Sequence, residues 1–184
     1  MTAMRERSWF EEWRSTEEFA REVDSLASQI PSDQYWGRGN TKWLREAWSL
    51  ARYCELSKST HLHLQNPDPP DAYVRSADQE LPIEITFGLD PERRIGDEYK
   101  PQAPRLTHHD ADEDRISTVR KVLEARIREK MKISYPRGTV LLIDLNVSDL
   151  ASCHARTETM LREILTQNCH PFSAVRLLWR NRIY

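Results

Sequence analysis

Residues Gly138 to Val147 form an almost continuous apolar run, in which Val140 to Leu145 is interrupted only by Asp144. A strand with one face in water alternates polar and apolar residues, whereas a run of this kind is covered on both faces. It therefore predicts a central strand in a sheet packed by helices on both sides. Its flanks agree, because residues 115–132 and Leu150 to Gln167 carry helical periodicity, and Val175, Leu177 and Trp179 alternate in a last strand. Towards the N-terminus, Ser15-Thr16-Glu17-Glu18 has the form of a capping box. Phe19, Val23, Leu26 and Ile30 follow at helical spacing until Pro31. Asn40 is placed to cap a second helix with the stripe Trp43, Ala47, Leu50, Ala51 and Cys54. The period then changes to two over Thr60 to Gln65, and Asp71 to Ser76 and Leu81 to Leu89 follow as strands joined by the turn Ala77 to Glu80. Asp90 to Asp114, rich in Pro and charge, reads as a long loop. The expected fold is α/β, a mixed β-sheet flanked by helices in the order α-α-β-β-β-α-β-α-β.

The chain of 184 residues suits one domain, and 39% apolar residues with six Trp suffice for a core. With 27 basic and 29 acidic side chains it is not a polybasic protein that coats nucleic acid by bulk attraction. No apolar run of about 18 residues and no signal-peptide pattern is present, so a cytoplasmic protein with no membrane partner is expected. Cys54, Cys153 and Cys169 lack the spacing of a disulfide framework or a zinc knuckle and read as reduced packing residues.

The informative chemistry lies in the strand Leu81-Pro-Ile-Glu84-Ile-Thr86-Phe87. Ile83, Ile85 and Phe87 share one face, which leaves Glu84 and Thr86 together on the other. A turn centred between Ala77 and Asp78 sets Asp71 directly opposite Glu84, with Cβ atoms roughly 4.5–5.5 Å apart. Carboxylates that close repel unless a cation sits between them, and a hard divalent ion such as Mg²⁺ resolves the conflict. A register shifted by one residue would put the two on opposite faces. In that case Asp71 would merely cap a turn and Glu84 would lie on a solvated sheet face.

Pro70-Asp71, twelve intervening residues and then Glu84-Ile85-Thr86 resembles the Pro-Asp…(Asp/Glu)-x-Lys signature, PD-(D/E)XK, of the restriction-endonuclease-like nuclease superfamily. The element order is similar as well: a core helix, a three-strand meander, a second core helix and a fourth strand. The resemblance implies one nuclease-like domain with its core over 40–147, an N-terminal helical extension over 1–39 and a helix-strand extension over 148–184. It also implies Mg²⁺- or Mn²⁺-dependent hydrolysis of phosphodiester bonds in DNA, with Asp71, Glu84 and the backbone carbonyl of Ile85 as metal ligands. Glu46 matches the place of an additional acidic residue in some members, although a helix-surface position is the plainer expectation. A homodimer is a further expected assembly.

Thr86 stands where the superfamily has the lysine that orients the attacking water. Thr86 can donate a hydrogen bond to a metal-bound water but carries no charge. On a helical wheel with Leu123 at zero, Ile116, Val119, Ile127 and Lys130 fall at about +20°, −40°, +40° and −20°. Lys130 thus lies in the middle of the apolar face, where an ammonium needs a partner. It either snorkels past the core into water or reaches Glu84 and replaces the missing lysine. Arg126 and Arg120 flank the same face as weaker candidates. The alternative left open is a catalytically silent protein of the same fold that binds nucleic acid or a protein partner.

Residues 115–132 hold seven basic side chains against Glu124 and Glu129, a local balance of +5, and Arg120, Lys121 and Arg126 are the expected phosphate contacts. Arg176, Arg180 and Arg182 add a second basic segment. His108-His109-Asp110-Ala111-Asp112 reads as a solvated loop running into a helix start, and His61 and His63 as a polar strand face. Asp144 interrupts its apolar strand, pointing either into the Asp71/Glu84 cleft or at the strand's end.

Overall fold

The computed structural model describes residues 6–37, 41–66, 69–77, 79–90, 98, 112–147, 154–166 and 171–184. In chain order its elements are α1 (Arg7–Phe10), β1 (Arg14–Ser15), α2 (Thr16–Gln29), α3 (Ser32–Gly37), α4 (Lys42–Ser57), β2 (His61–Leu64), β3 (Ala72–Ser76) and β4 (Gln79–Leu89). Then come α5 (Asp112–Lys130), β5 (Val140–Asn146), α6 (His154–Leu165), β6 (Ala174–Trp179) and β7 (Arg182–Ile183). The protein is therefore α/β, and the nine elements expected from periodicity all form. Periodicity does not announce α1, β1, α3 and β7, which are too short to show a period. Helix α5 starts three residues earlier than its apolar pattern suggests, and α6 is described from His154, residues 148–153 lying outside the described residues. Asn40, residues 108–111, Cys153, Cys169 and most of the expected 90–114 loop lie outside the described residues.

The seven strands lie in one mixed sheet in chain order, β1 to β7. Strands β1 to β4 are antiparallel, β5 runs parallel to β4, β6 parallel to β5, and β7 closes antiparallel to β6. The two parallel steps are those with helical crossovers, α5 and α6, since parallel neighbours cannot be joined by a tight turn. The continuous apolar run of β5 is explained directly. Val140 and Leu142 enter a core with Phe19, Leu50, Ile83 and Ile85, whereas Leu141, Ile143 and Leu145 enter a second core with Val119, Leu123 and Leu161. Helices α2 and α4 cover the first face, and α5 and α6 the second.

Local signals account for both boundaries of α2. Ser15 accepts a hydrogen bond from the Glu18 N–H at 3.2 Å as the cap of α2, and the chain leaves the helix at Ile30 before Pro31. In α4 the buried face includes Ala47, Leu50, Ala51 and Cys54, as the stripe predicts, with Leu44 fully buried where Trp43 of the stripe is only partly so, and also Glu46 and Ser49. The helix is thus rolled so that its polar edge also meets the sheet. Gly88 of β4 lies where α5 and β5 come closest: a Cβ there would stand 2.8 Å from Leu145 Cδ1 and 3.3 Å from Val122 Cγ1. Just beyond it, Asp90 and Arg115 form a buried ion pair at 2.6 Å that ties the end of β4 to the start of α5.

Candidate functional site

Glu84 and Thr86 project from β4 towards α5, and both are buried. The β3–β4 register pairs Ala72 with Ile83, so the next position along sets Asp71 beside Glu84, as the turn parity predicts. Asp71 Oδ2 accepts the Ile85 N–H at 2.7 Å, which fixes that carboxylate at the end of the hairpin. A residue's N–H and C=O leave a strand on the same side, so the Ile85 carbonyl is directed to the same edge as Asp71.

The buried lysine completes the group. Val119, Leu123 and Ile127 of α5 pack into the second core, and Lys130, one turn on, donates from Nζ to Glu84 Oε1 at 2.5 Å. Its side chain is 19% exposed, so the ammonium turns inward to the carboxylate rather than out into water. Glu84 Oε2 and the Tyr135 hydroxyl are both buried, and among the described residues neither meets a hydrogen-bond partner at close geometry. Tyr135 is the neighbouring donor: a loose hydrogen bond from its hydroxyl to the Glu84 carboxylate lowers Glu84 and raises Tyr135. Nothing in the periodicity marks Tyr135, which sits in the short connection between α5 and β5.

Burial pushes the Glu84 carboxyl above its ordinary value, the like charge of Asp71 pushes it further, and Lys130 pulls it back. Tyr135 is raised as well, first by burial and then by Glu84 and Asp71. The cluster holds two converging carboxylates, one ammonium and the Tyr135 hydroxyl. A buried carboxylate oxygen held only loosely is costly, and an approaching cation would offset that cost. Among the described residues no group of three or more His, Cys, Asp and Glu side chains could hold an ion. The available set of two carboxylates and a backbone carbonyl is of the size Mg²⁺ uses, with waters and substrate oxygens completing its shell.

The remaining candidates stand elsewhere or are engaged. Asp144 points away from the cleft, towards α4, where Ser49 donates to its Oδ2 at 2.6 Å. Burial pushes Asp144 up and the Ser49 bond lowers it. Glu46 is not on the helix surface; it is 8% exposed and ion-paired to Lys42 at 2.7 Å. The local +5 is not an open basic face: Arg115 is buried on Asp90, Arg120 pairs with Glu163 at 3.1 Å, and Arg126 pairs with Glu129 at 2.7 Å. Lys121 is exposed on the same helix. At the C-terminus Arg182 pairs with Glu158 at 3.2 Å.

His63 is part of a ring cluster that alternation alone does not reveal. It stacks on its cross-strand neighbour Tyr73 at 5.4 Å and meets Trp13 edge-on at 4.4 Å, while Arg75 lies 4.1 Å over the Trp13 ring. Tyr73 and Arg75 share the face of β3 that carries Asp71, so these rings continue the sheet surface beside the carboxylates.

The fold and cluster define an α/β protein with a seven-stranded mixed sheet and a buried carboxylate-lysine site at its central hairpin. No protein-family model, curated protein or solved structure matches the chain. Among the described residues no helix is long and apolar enough to cross a membrane.

Proposed function

We propose that this protein is a restriction-endonuclease-like, metal-dependent nuclease that hydrolyses phosphodiester bonds in DNA. The observation that carries this reading is the Asp71/Glu84 pair with Lys130 on Glu84 Oε1 and, among the described residues, no donor at close geometry on Oε2. An ammonium reaching that site from α5 supplies the charge that Thr86 lacks, so the Glu-x-Thr variant is not by itself a sign of lost chemistry. Asp71, Glu84 and the Ile85 carbonyl would hold Mg²⁺ or Mn²⁺. The bound ion would acidify a water and polarise the scissile phosphate. Glu84 orients Lys130, Lys130 holds the attacking water and offsets charge on the phosphate, and the Thr86 hydroxyl offers a further hydrogen bond. Trp13, Tyr73 and Arg75, on the adjoining sheet face, offer rings and a guanidinium for bases and phosphates of an incoming strand. With Arg120 and Arg126 held by acids and Arg75 shared with Glu80 at 3.4 Å, Lys121 and the rings of Trp13 and Tyr73 are the better candidates for contact with nucleic acid.

The test is cleavage of plasmid and single-stranded DNA with Mg²⁺ or Mn²⁺ by the wild type and by Asp71→Ala, Glu84→Ala and Lys130→Ala. Loss of activity is expected with all three, for Lys130→Ala on the order of 10²-fold or more. Cleavage indifferent to Asp71→Ala and Glu84→Ala would exclude the site. Cleavage lost in those two but kept in Lys130→Ala would exclude only the role of the lysine. DNA binding by the wild type without cleavage under any metal would favour the silent-fold alternative.

A further inference from the structure

A cavity of about 490 Å³ opens on the face of the sheet opposite Glu84, at the C-terminal ends of β5 and β6. Crevices at the carboxyl ends of parallel strands are the usual ligand positions in α/β sheets, and this volume suits a small organic molecule. Its walls are Tyr35 and Trp36 of α3 and Trp48 of α4, with Ile30 closing one side. On its floor lies Asp144. Among the described residues the one hydrogen bond to that carboxylate comes from Ser49 to Oδ2. Burial raises its carboxyl, the serine lowers it, and Tyr35 of the same wall lies close enough to feel its charge.

The rings are held before any ligand arrives. Arg52 lies 5.4 Å over Trp48 and is itself clamped by Asp24 and Glu55. Arg45 lies 5.9 Å over Trp36 and donates to the Trp36 carbonyl at 2.9 Å. Each indole therefore already carries a cation, which leaves less for a second, ligand cation to gain from the same rings. What the slot still offers is apolar ring surface and, at its base, an acceptor-only carboxylate. A flat neutral heterocycle that presents adjacent N–H donors at its edge uses both.

We infer that this cavity is a binding site for a guanine base, whose ring N–H and exocyclic amino group are the adjacent donors Asp144 accepts while Trp36 and Trp48 flank the ring. Arg180 and Asn181, the central pair of the β6–β7 turn, stand at the mouth, where the phosphate of a guanine nucleotide would emerge. The base can come from a free nucleotide or from a nucleic acid strand. The site is separate from the Asp71/Glu84 cluster, and the inference does not rest on the nuclease reading.

Titration of the full chain, followed by tryptophan fluorescence and calorimetry, tests this with guanosine, inosine and adenosine 5′-monophosphates and with choline as a cationic probe. The guanine nucleotide should bind saturably, with Kd below about 1 mM. Inosine, which lacks the amino donor, should bind roughly tenfold or more weakly, and adenosine and choline should not compete. Asp144→Asn, which keeps an oxygen for Ser49, should lower guanine affinity at least tenfold with an unchanged far-ultraviolet spectrum. Glu84→Ala should leave it unchanged. A response to the mononucleotide alone assigns the site to free nucleotide, and an equal response to a guanine-containing tetranucleotide assigns it to nucleic acid. Equal binding of the three nucleotides, preference for choline, no saturable binding, or an unaffected Asp144→Asn would each overturn the inference.

Discussion

Glu84 carries opposing demands in one side chain. Its Oε1 is held by Lys130, its Oε2 meets no donor at close geometry among the described residues, and Asp71 stands beside it. Lys130→Met removes the ammonium paired with a buried carboxylate, which should lower the stability of the metal-free protein by about 1–3 kcal/mol in a urea melt at pH 7. Asp71→Asn should do the reverse and raise the melting temperature, because it removes the like charge while keeping an oxygen for the Ile85 N–H. Such a gain in stability at the expense of a functional group is a common mark of an active site. Asp144 yields a pH prediction. Burial raises its carboxyl above the ordinary 3.8, so the folded protein holds that proton more tightly than the unfolded chain. The contribution of this group to stability is then lost as pH rises from about 3.8 through the raised value. Asp144→Asn should be the more stable protein at pH 7, with the difference vanishing in acid melts below the ordinary value. A constant difference across that range would contradict the assignment. These residues were unequally legible. Asp71 and Glu84 follow from turn parity, and Lys130 follows from a wheel that puts an ammonium on an apolar face. Tyr135 and the Ser49–Asp144 bond carry no local signature, since the latter joins residues 95 positions apart.

Strand β4 and helix α5 act as one unit, and their packing sets the geometry of the site. Gly88 lets β4 pass under Val122 and beside Leu145, and Lys130 lies on the same helix two turns beyond Val122. Gly88→Ala should destabilise the fold by about 1–3 kcal/mol, because the added methyl meets Leu145 at 2.8 Å in a filled core. Calorimetric unfolding measures the loss, and no change would mean that α5 is free to move away from the sheet. Helix α4 shows where a stripe misleads. The apolar spacing identifies Ala47, Leu50 and Cys54, yet Ser49 and Glu46 are buried too, because Asp144 on β5 offers Ser49 a partner. Arg120 shows the complementary limit. A sum of charges along α5 ignores Glu163 on α6, which claims Arg120.

The N-terminal residues, expected to be an extension, are built into the first core. Phe10 is fully buried, with Phe19 at 5.0 Å and Trp43 at 5.4 Å, and β1 forms one edge of the sheet against β2. Phe10→Ala should therefore cost about 3–5 kcal/mol, like other large core truncations, and denaturant unfolding should show it as a shift of midpoint at constant slope. An effect below about 1 kcal/mol would restore the segment to the status of an appendage. The element order, the covered central strand and the parity of the β3–β4 hairpin were all readable along the chain. They depend on neighbours a few positions apart and on periods of 2 and 3.6. The closing of Lys130 onto Glu84, the turning of Asp144 to the far face, the pairing of the α5 arginines and the aromatic cavity above β5 required the folded chain. Each is a contact between segments far apart in sequence, decided by which face of one element packs on which face of another, and no local period encodes that choice.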